Sequence, residues 1–217
     1  MKLLFGSVAR IRVLRSENAN REGGMILAGN HISHFDPLIL SGVVRRKIDW
    51  MTMAEFFPIP VVGQWLNAVD AFPADRDRAN RATIRTTVER LTSGRIVGIF
   101  PEGGIRDGKR SILEGAPIRS GIATLADMAR VPVLPCVILG SDRLYNKKRW
   151  VPPRRTSVWI GFGEPIRRDP SLGKTAARER IEQQFASALQ TLLAELRQTF
   201  SLTDADLPHS PQQRMHE

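Results

Sequence analysis

A single cysteine, Cys136, stands among the 217 residues, so no internal disulfide can form and nothing in the composition points to an oxidising compartment. Long apolar runs are missing as well: none approaches the roughly 20 residues that a helix needs to cross a bilayer. The opening stretch with Leu3, Leu4, Val8 and Ile11 runs straight into Arg10, Arg12 and Arg15, which argues against a signal peptide. On a helix those apolar residues share one face, which suits either a basic membrane-surface helix or a helix packed on the domain. There is one tyrosine, with no RNP-like or zinc-finger pattern, which speaks against the aromatic-lined basic groove of a single-strand binder. Of four histidines, His209 and His216 fall near the C-terminus. His31, His34 and Asp36 are the remaining metal-ligand candidates, and their spacing does not match the two-histidine helical zinc motif; no metal is expected.

What is present is an ordinary globular balance, with 42% hydrophobic and 25% charged residues. The length suffices for one well-buried core. Against 22 Asp+Glu stand 32 Lys+Arg, a formal charge of +10 that predicts attraction to something anionic. Nucleic acid, an acidic membrane, a phosphorylated substrate and an acidic carrier protein all qualify.

Periodicity predicts strands over 24–29, 48–54, 69–72, 95–100, 131–139 and 156–161, and helices from Asp36-Pro37, over 79–92, 117–130 and 175–200. Leu38, Ile39 and Val43 are the expected apolar stripe of the first helix. The proline-containing run 56–63 reads as a loop or interfacial element. Strands and helices alternate, so the fold class is α/β, a single domain with a mostly parallel central sheet flanked by helices. We expect a basic amphipathic segment over 1–23, the main domain over 24–202 and a mobile tail over 203–217. In such sheets ligands gather at the carboxyl ends of the strands, where His31, Asp75, Glu102 and Tyr145 are expected.

Asn30-His31-Ile32-Ser33-His34-Phe35-Asp36-Pro37 sets a histidine and an aspartate five positions apart at a strand-to-helix junction. A carboxylate on one ring nitrogen fixes the tautomer, and the other nitrogen becomes a general base. The same residues also read as a helix cap beside a loop histidine. Phe72-Pro73-Ala74-Asp75-Arg76 places an arginine past a strand, where it can fork onto phosphate or sit solvated on the surface. Phe100-Pro101-Glu102-Gly103-Gly104-Ile105-Arg106 offers a carboxylate, glycine amides and a further arginine, or only a turn.

Together and in order, these segments resemble the glycerolipid acyltransferase superfamily, whose best-known members are the 1-acylglycerol-3-phosphate acyltransferases. The likeness spans roughly residues 24–140. The first family motif, Asn-His, four residues, then Asp, is matched by Asn30, His31 and Asp36. The second is similar to Phe72 through Arg76, the third to Phe100-Pro101-Glu102-Gly103, and the fourth to Val131-Pro132-Val133-Leu134-Pro135. Gly104-Ile105 stands where the family usually has threonine then arginine, so Arg106 is displaced.

The resemblance implies acyl transfer from a thioester, acyl-coenzyme A or acyl carrier protein, to the hydroxyl of a lysophospholipid, with no further cofactor. It implies His31 as base, Asp36 as its orienting carboxylate, and substrate contacts from Asn30, Arg76, Glu102, Gly103, Gly104, Arg106 and Pro135. Ser33 is the nearest residue for a covalent route, and direct transfer is preferred to it. An acceptor other than 1-acylglycerol-3-phosphate, including an amino-acid-derived lipid, remains an alternative, as does a nucleic-acid-binding protein. Lys147-Lys148-Arg149-Trp150 with Arg154-Arg155 would face anionic lipid, an acidic carrier or the phosphates of coenzyme A. The expected location is peripheral, on the cytoplasmic side of the membrane.

Overall fold

The computed structural model describes residues 9–60, 62–68, 71–74, 81–118, 121–146, 148 and 155–216. Among them β1 (Ala9–Leu14), β2 (Met25–Gly29), β3 (Ile48–Met53), β4 (Phe72–Ala74), β5 (Ile96–Ile99), β6 (Val133–Leu139) and β7 (Thr156–Phe162) form one sheet in the order β1-β7-β6-β2-β5-β3-β4. Strands β2 to β6 run parallel, while β7 is antiparallel to β6 and carries β1 parallel to itself.

Side chains alternate across the pleat, so each strand feeds two apolar layers. Ile26 and Ala28 join α3 (Arg81–Thr92), α4 (Ile122–Ala129) and α5 (Lys174–Phe200) on one face; Met25 and Leu27 join α1 (Asp36–Val43) and α2 (Val62–Ala68) on the other. Every residue of β6 is buried, the uninterrupted pattern of a strand covered on both sides. Its Cys136 is 1% exposed, and burial, with the Asp36 charge adding to it, pushes the thiol pKa far above its ordinary value. On α5 the residues Ala177, Ile181, Phe185, Leu189, Leu192 and Leu196 recur at helical spacing and are all buried. Truncating one such leucine to alanine costs about 2–5 kcal/mol.

Two expectations are corrected. Ala9–Leu14 is an edge strand rather than a helix: Ala9, Ile11 and Val13 turn inward while Arg10 and Arg12 are exposed, a period of two that competes with the helical reading. Leu3, Leu4 and Val8 lie outside the described residues. The run 56–63 passes through turns at 57–60, in keeping with the loop expected there, before entering α2, and Ile59 and Val62 are exposed. After Thr203, where a mobile tail is expected, a short 3-10 turn (Asp204–Asp206) and α6 (Pro211–His216) fold back onto the molecule. Arg214 is 4% exposed and donates from Nε to the buried Asp142 carboxylate at 2.6 Å, and Arg143 pairs with Asp206 at 2.7 Å. Partners some seventy residues away leave no local periodicity to read. Smaller shifts occur at β4, which begins at Phe72 while 69–70 lie outside the described residues, and at α1, where Ile39 and Leu40 form the buried stripe.

Candidate active site

β2 ends at Gly29, and the next side chain prolongs the sheet in place of backbone. Asn30, fully buried, donates from Nδ2 to the Ile138 carbonyl at 2.8 Å and accepts the Ile138 N–H on Oδ1 at 2.9 Å. This amide completes the β2–β6 ladder, so Asn30 is a strut and not a group facing ligand. The following loop wraps around one carboxylate. Asp36, with no exposed surface, accepts the Ile32 and Ser33 N–H groups on Oδ2 at 2.8 and 2.9 Å and the Ser141 hydroxyl on Oδ1. His31 Nδ1 lies 2.9 Å from the same Oδ2. An acceptor-only partner places the imidazole proton on Nδ1 and leaves the Nε2 lone pair available.

The His31 peptide is held at both ends. Its N–H donates to Glu102 Oε2 at 2.6 Å, and its carbonyl accepts the Arg106 N–H at 2.9 Å. The other Glu102 oxygen accepts the Ser111 hydroxyl and the Ile112 N–H, each at 2.8 Å. Glu102 is only 5% exposed, and burial raises its pKa against the opposing pull of these bonds. Its carboxylate therefore positions the histidine loop, which differs from the expected direct substrate contact. Above the peptide the ring is stacked: Phe100 lies parallel to His31 with centroids 4.1 Å apart, and Trp50 lies parallel to Phe100 at 5.0 Å. Gly98 makes room for this stack, because a Cβ there would fall 2.4 Å from Trp50 Cε3.

Beside the stack opens a cavity of about 650 Å³, in the size range of small-molecule sites. Its walls are almost wholly apolar, from Met51 and Met53 of β3 to Val62 and Leu66 of α2, and His31, His34, Gly103 and Gly104 line it as well. His34 is held by the only tyrosine: its N–H donates to Tyr145 Oη at 3.0 Å and its Nδ1 lies 2.6 Å from that oxygen. Burial, then the neighbouring His31, lowers the His34 pKa, and burial raises that of Tyr145. His31 and Tyr145 follow β2 and β6 and Glu102 follows β5, at one edge of the sheet.

Other expected site residues fall differently. Arg76 and Asp75 lie outside the described residues, as do Lys147, Arg149, Trp150 and Arg154; Lys148 and Arg155 are exposed. Gly103 closes a turn, its N–H donating to the Phe100 carbonyl at 3.0 Å. Arg106 is half-buried, with its guanidinium 3.5 Å from the Ile105 carbonyl and no anionic partner among the described residues. Pro135 is a correction: it is buried within β6 against Gly163, away from the cavity. Among the described residues no three acidic, histidine or cysteine side chains converge on a metal position. Ser111, Ser141 and Trp50 carry no sequence signal of their roles, whereas Tyr145 is marked by following a strand.

Residues 10–139 match the family model described as Acyltransferase. The 1-acyl-sn-glycerol-3-phosphate acyltransferase of Bacillus subtilis is 29% identical over 205 residues, spanning 90% of this chain and 96% of that protein. The protein of the same name from Streptococcus pneumoniae is 28% identical over 174 residues, 79% of this chain and 60% of that one. The crystal structure of the 1-acyl-sn-glycerophosphate (LPA) acyltransferase PlsC from Thermotoga maritima superposes with a TM-score of 0.64 at 25% identity, covering 86% of this chain and 73% of that one.

Proposed function

Because this chain belongs to the acyltransferase family, we propose that it moves a fatty acyl chain from a thioester to the free hydroxyl of 1-acylglycerol-3-phosphate. The names of the two bacterial relatives and of the solved structure support that acceptor. The observation that carries the reading is an imidazole with one nitrogen tied to a buried carboxylate, opening onto an apolar cavity.

The chemistry follows from those parts. A neutral hydroxyl is a poor nucleophile, and a positioned base is worth about 10²–10⁴-fold. His31 Nε2 takes the hydroxyl proton as oxygen attacks the thioester carbon, and Asp36 steadies the imidazolium. The C–S bond then breaks, and the imidazolium proton passes to the departing thiolate. A thiol with a pKa of about 8.5 leaves readily, so no stronger acid is needed. The cavity takes the acyl tail, each buried methylene contributing about 0.8 kcal/mol. Arg76 and Arg106 hold the acceptor's phosphate, with the turn at Gly103 shaping its site. Glu102 and Asn30 serve by holding His31 and its strand.

Coenzyme A and acyl carrier protein are both anionic donors suited to a chain of charge +10. The same charge and the exposed Ile59 and Val62 near the cavity suit a peripheral seat on an anionic membrane, on its cytoplasmic side. Among the described residues no helix is long and apolar enough to cross a membrane.

The test is a lipid-product assay with purified protein, a panel of lysolipid acceptors and both donors. Acceptor-dependent phosphatidic acid formation, abolished in a folded His31→Ala variant, is expected. Thioester consumption indifferent to acceptor would mean hydrolysis instead. DNA binding without liposome binding or acyl transfer would mean a nucleic-acid protein.

A further inference from the structure

Acyl transfer as proposed above needs two polarities at one place. A lone pair must accept the hydroxyl proton, and a donor must meet the negative charge that builds on the thioester oxygen. His31 supplies the first. In the glycine turn the Gly103 N–H is already committed to the Phe100 carbonyl at 3.0 Å and is not free to supply the second.

His34 lines the same cavity, and its tautomer is set by counting protons around Tyr145. The phenol oxygen receives the His34 N–H at 3.0 Å. The phenol's own proton is then directed to the nearest acceptor, His34 Nδ1, 2.6 Å away. Nδ1 thus accepts, and the neutral ring carries its hydrogen on Nε2, the nitrogen turned away from Tyr145. His31 has the reverse assignment, hydrogen on Nδ1 and lone pair on Nε2. Two imidazoles of opposite polarity therefore border one cavity.

We propose that His34 is a catalytic residue whose Nε2–H hydrogen-bonds the thioester oxygen as it becomes the oxyanion of the tetrahedral intermediate. Resting on the acyl-transfer reading, this gives His34 no proton to lose. The nucleophile's proton goes to His31, the C–O bond forms, the C–S bond breaks, and the His31 proton leaves with the thiol. Two facts favour a neutral His34 donor through the cycle, although the side chain keeps part of its surface exposed. Burial and the adjacent His31 both lower its pKa, and His31 in its imidazolium form repels a second positive charge. Tyr145 is a positioning residue, acting only through the His34 tautomer.

Steady-state kinetics of the full chain with lysophosphatidic acid and acyl-coenzyme A test this on wild type, His34→Ala, His34→Gln and Tyr145→Phe. Loss of one such donor lowers kcat by about 10²–10³-fold. That fall is expected for His34→Ala with the acceptor KM nearly unchanged. His34→Gln, whose amide N–H can reach the Nε2 position, recovers at least about tenfold of it. Tyr145→Phe, with an unfixed tautomer, falls between wild type and His34→Ala. Wild-type turnover with an unimpaired His34→Ala overturns the role, as does a raised KM at constant kcat, or a glutamine variant no better than alanine. A wild-type protein that transfers no acyl group overturns the parent reading along with it.

Discussion

Glu102→Gln separates a clamp from a substrate contact. The side chain keeps its size, but one carboxylate oxygen becomes an NH2 group with hydrogens to place. Oε2 faces the His31 N–H, and Oε1 faces the Ser111 hydroxyl and the Ile112 N–H. Whichever way the amide turns, a donor meets a donor at a position only 5% exposed. If the nitrogen faces His31, a charge-assisted bond worth about 1.5–3 kcal/mol is lost and a buried N–H group is left unmet. Relaxation recovers part of this, for a net loss of about 2–4 kcal/mol. In a chain of this size each kcal/mol moves Tm by about 2–4 °C, so a fall of about 4–16 °C is expected in calorimetry. Kinetically, the His31 peptide drifts from its place. Turnover drops by about tenfold or more while the acceptor KM stays within about threefold, the signature of lost transition-state positioning. A Glu102→Gln protein that melts within about 2 °C of wild type and shows mainly a raised acceptor KM would refute the clamp, since a direct contact to substrate would explain both.

Arg214→Ala strands the buried Asp142 charge and should cost about 3–5 kcal/mol in denaturant titration, with Arg214→Lys recovering part of it. Gly98→Ala drives a methyl group into Trp50 and is expected to cost about 1–3 kcal/mol and to quench or shift the Trp50 emission, against a small gain from strand propensity. The lowered His34 pKa means the folded protein binds fewer protons there than the unfolded chain between that pKa and about 6.5. Stability from this group is therefore full above pH of about 6.5 and declines as pH falls through the window, so the stability difference between wild type and His34→Gln should change with pH across that window and level off on either side. A pH-independent difference in Tm between the two would contradict it.

The fold was legible where local periodicity and burial agree. The strand before Asn30, the Asp36-Pro37 helix start and the long helix α5 all stand as read. The first strand was not, because Arg10 and Arg12 between apolar residues satisfy a basic helix and an edge strand equally until β7 is there to pair with. Within the site, the His31–Asp36 pair was readable because both members lie five residues apart on one loop. The misread residues all have distant partners. Asn30 is occupied by Ile138, 108 positions on, and Glu102 by the His31 backbone, 71 positions back. A motif shows which residues keep company in sequence, but not whether a side chain faces the ligand or its own scaffold. Pro135 belongs to this class too, being part of the strand that supports the site.

The inertness of Cys136 has a use at the bench. A thiol buried inside β6 with its pKa pushed far upward presents no thiolate to an aromatic disulfide reagent. The folded chain is therefore optically silent in a mixture that colours with every equivalent of thiol set free from a donor thioester. Turnover can be followed continuously, with the enzyme present at any concentration and no cysteine-free variant to build. When the chain unfolds, the same reagent should titrate one equivalent per molecule. A single chromophore thus reports catalysis at low temperature and loss of structure on heating, in one cuvette and on one sample.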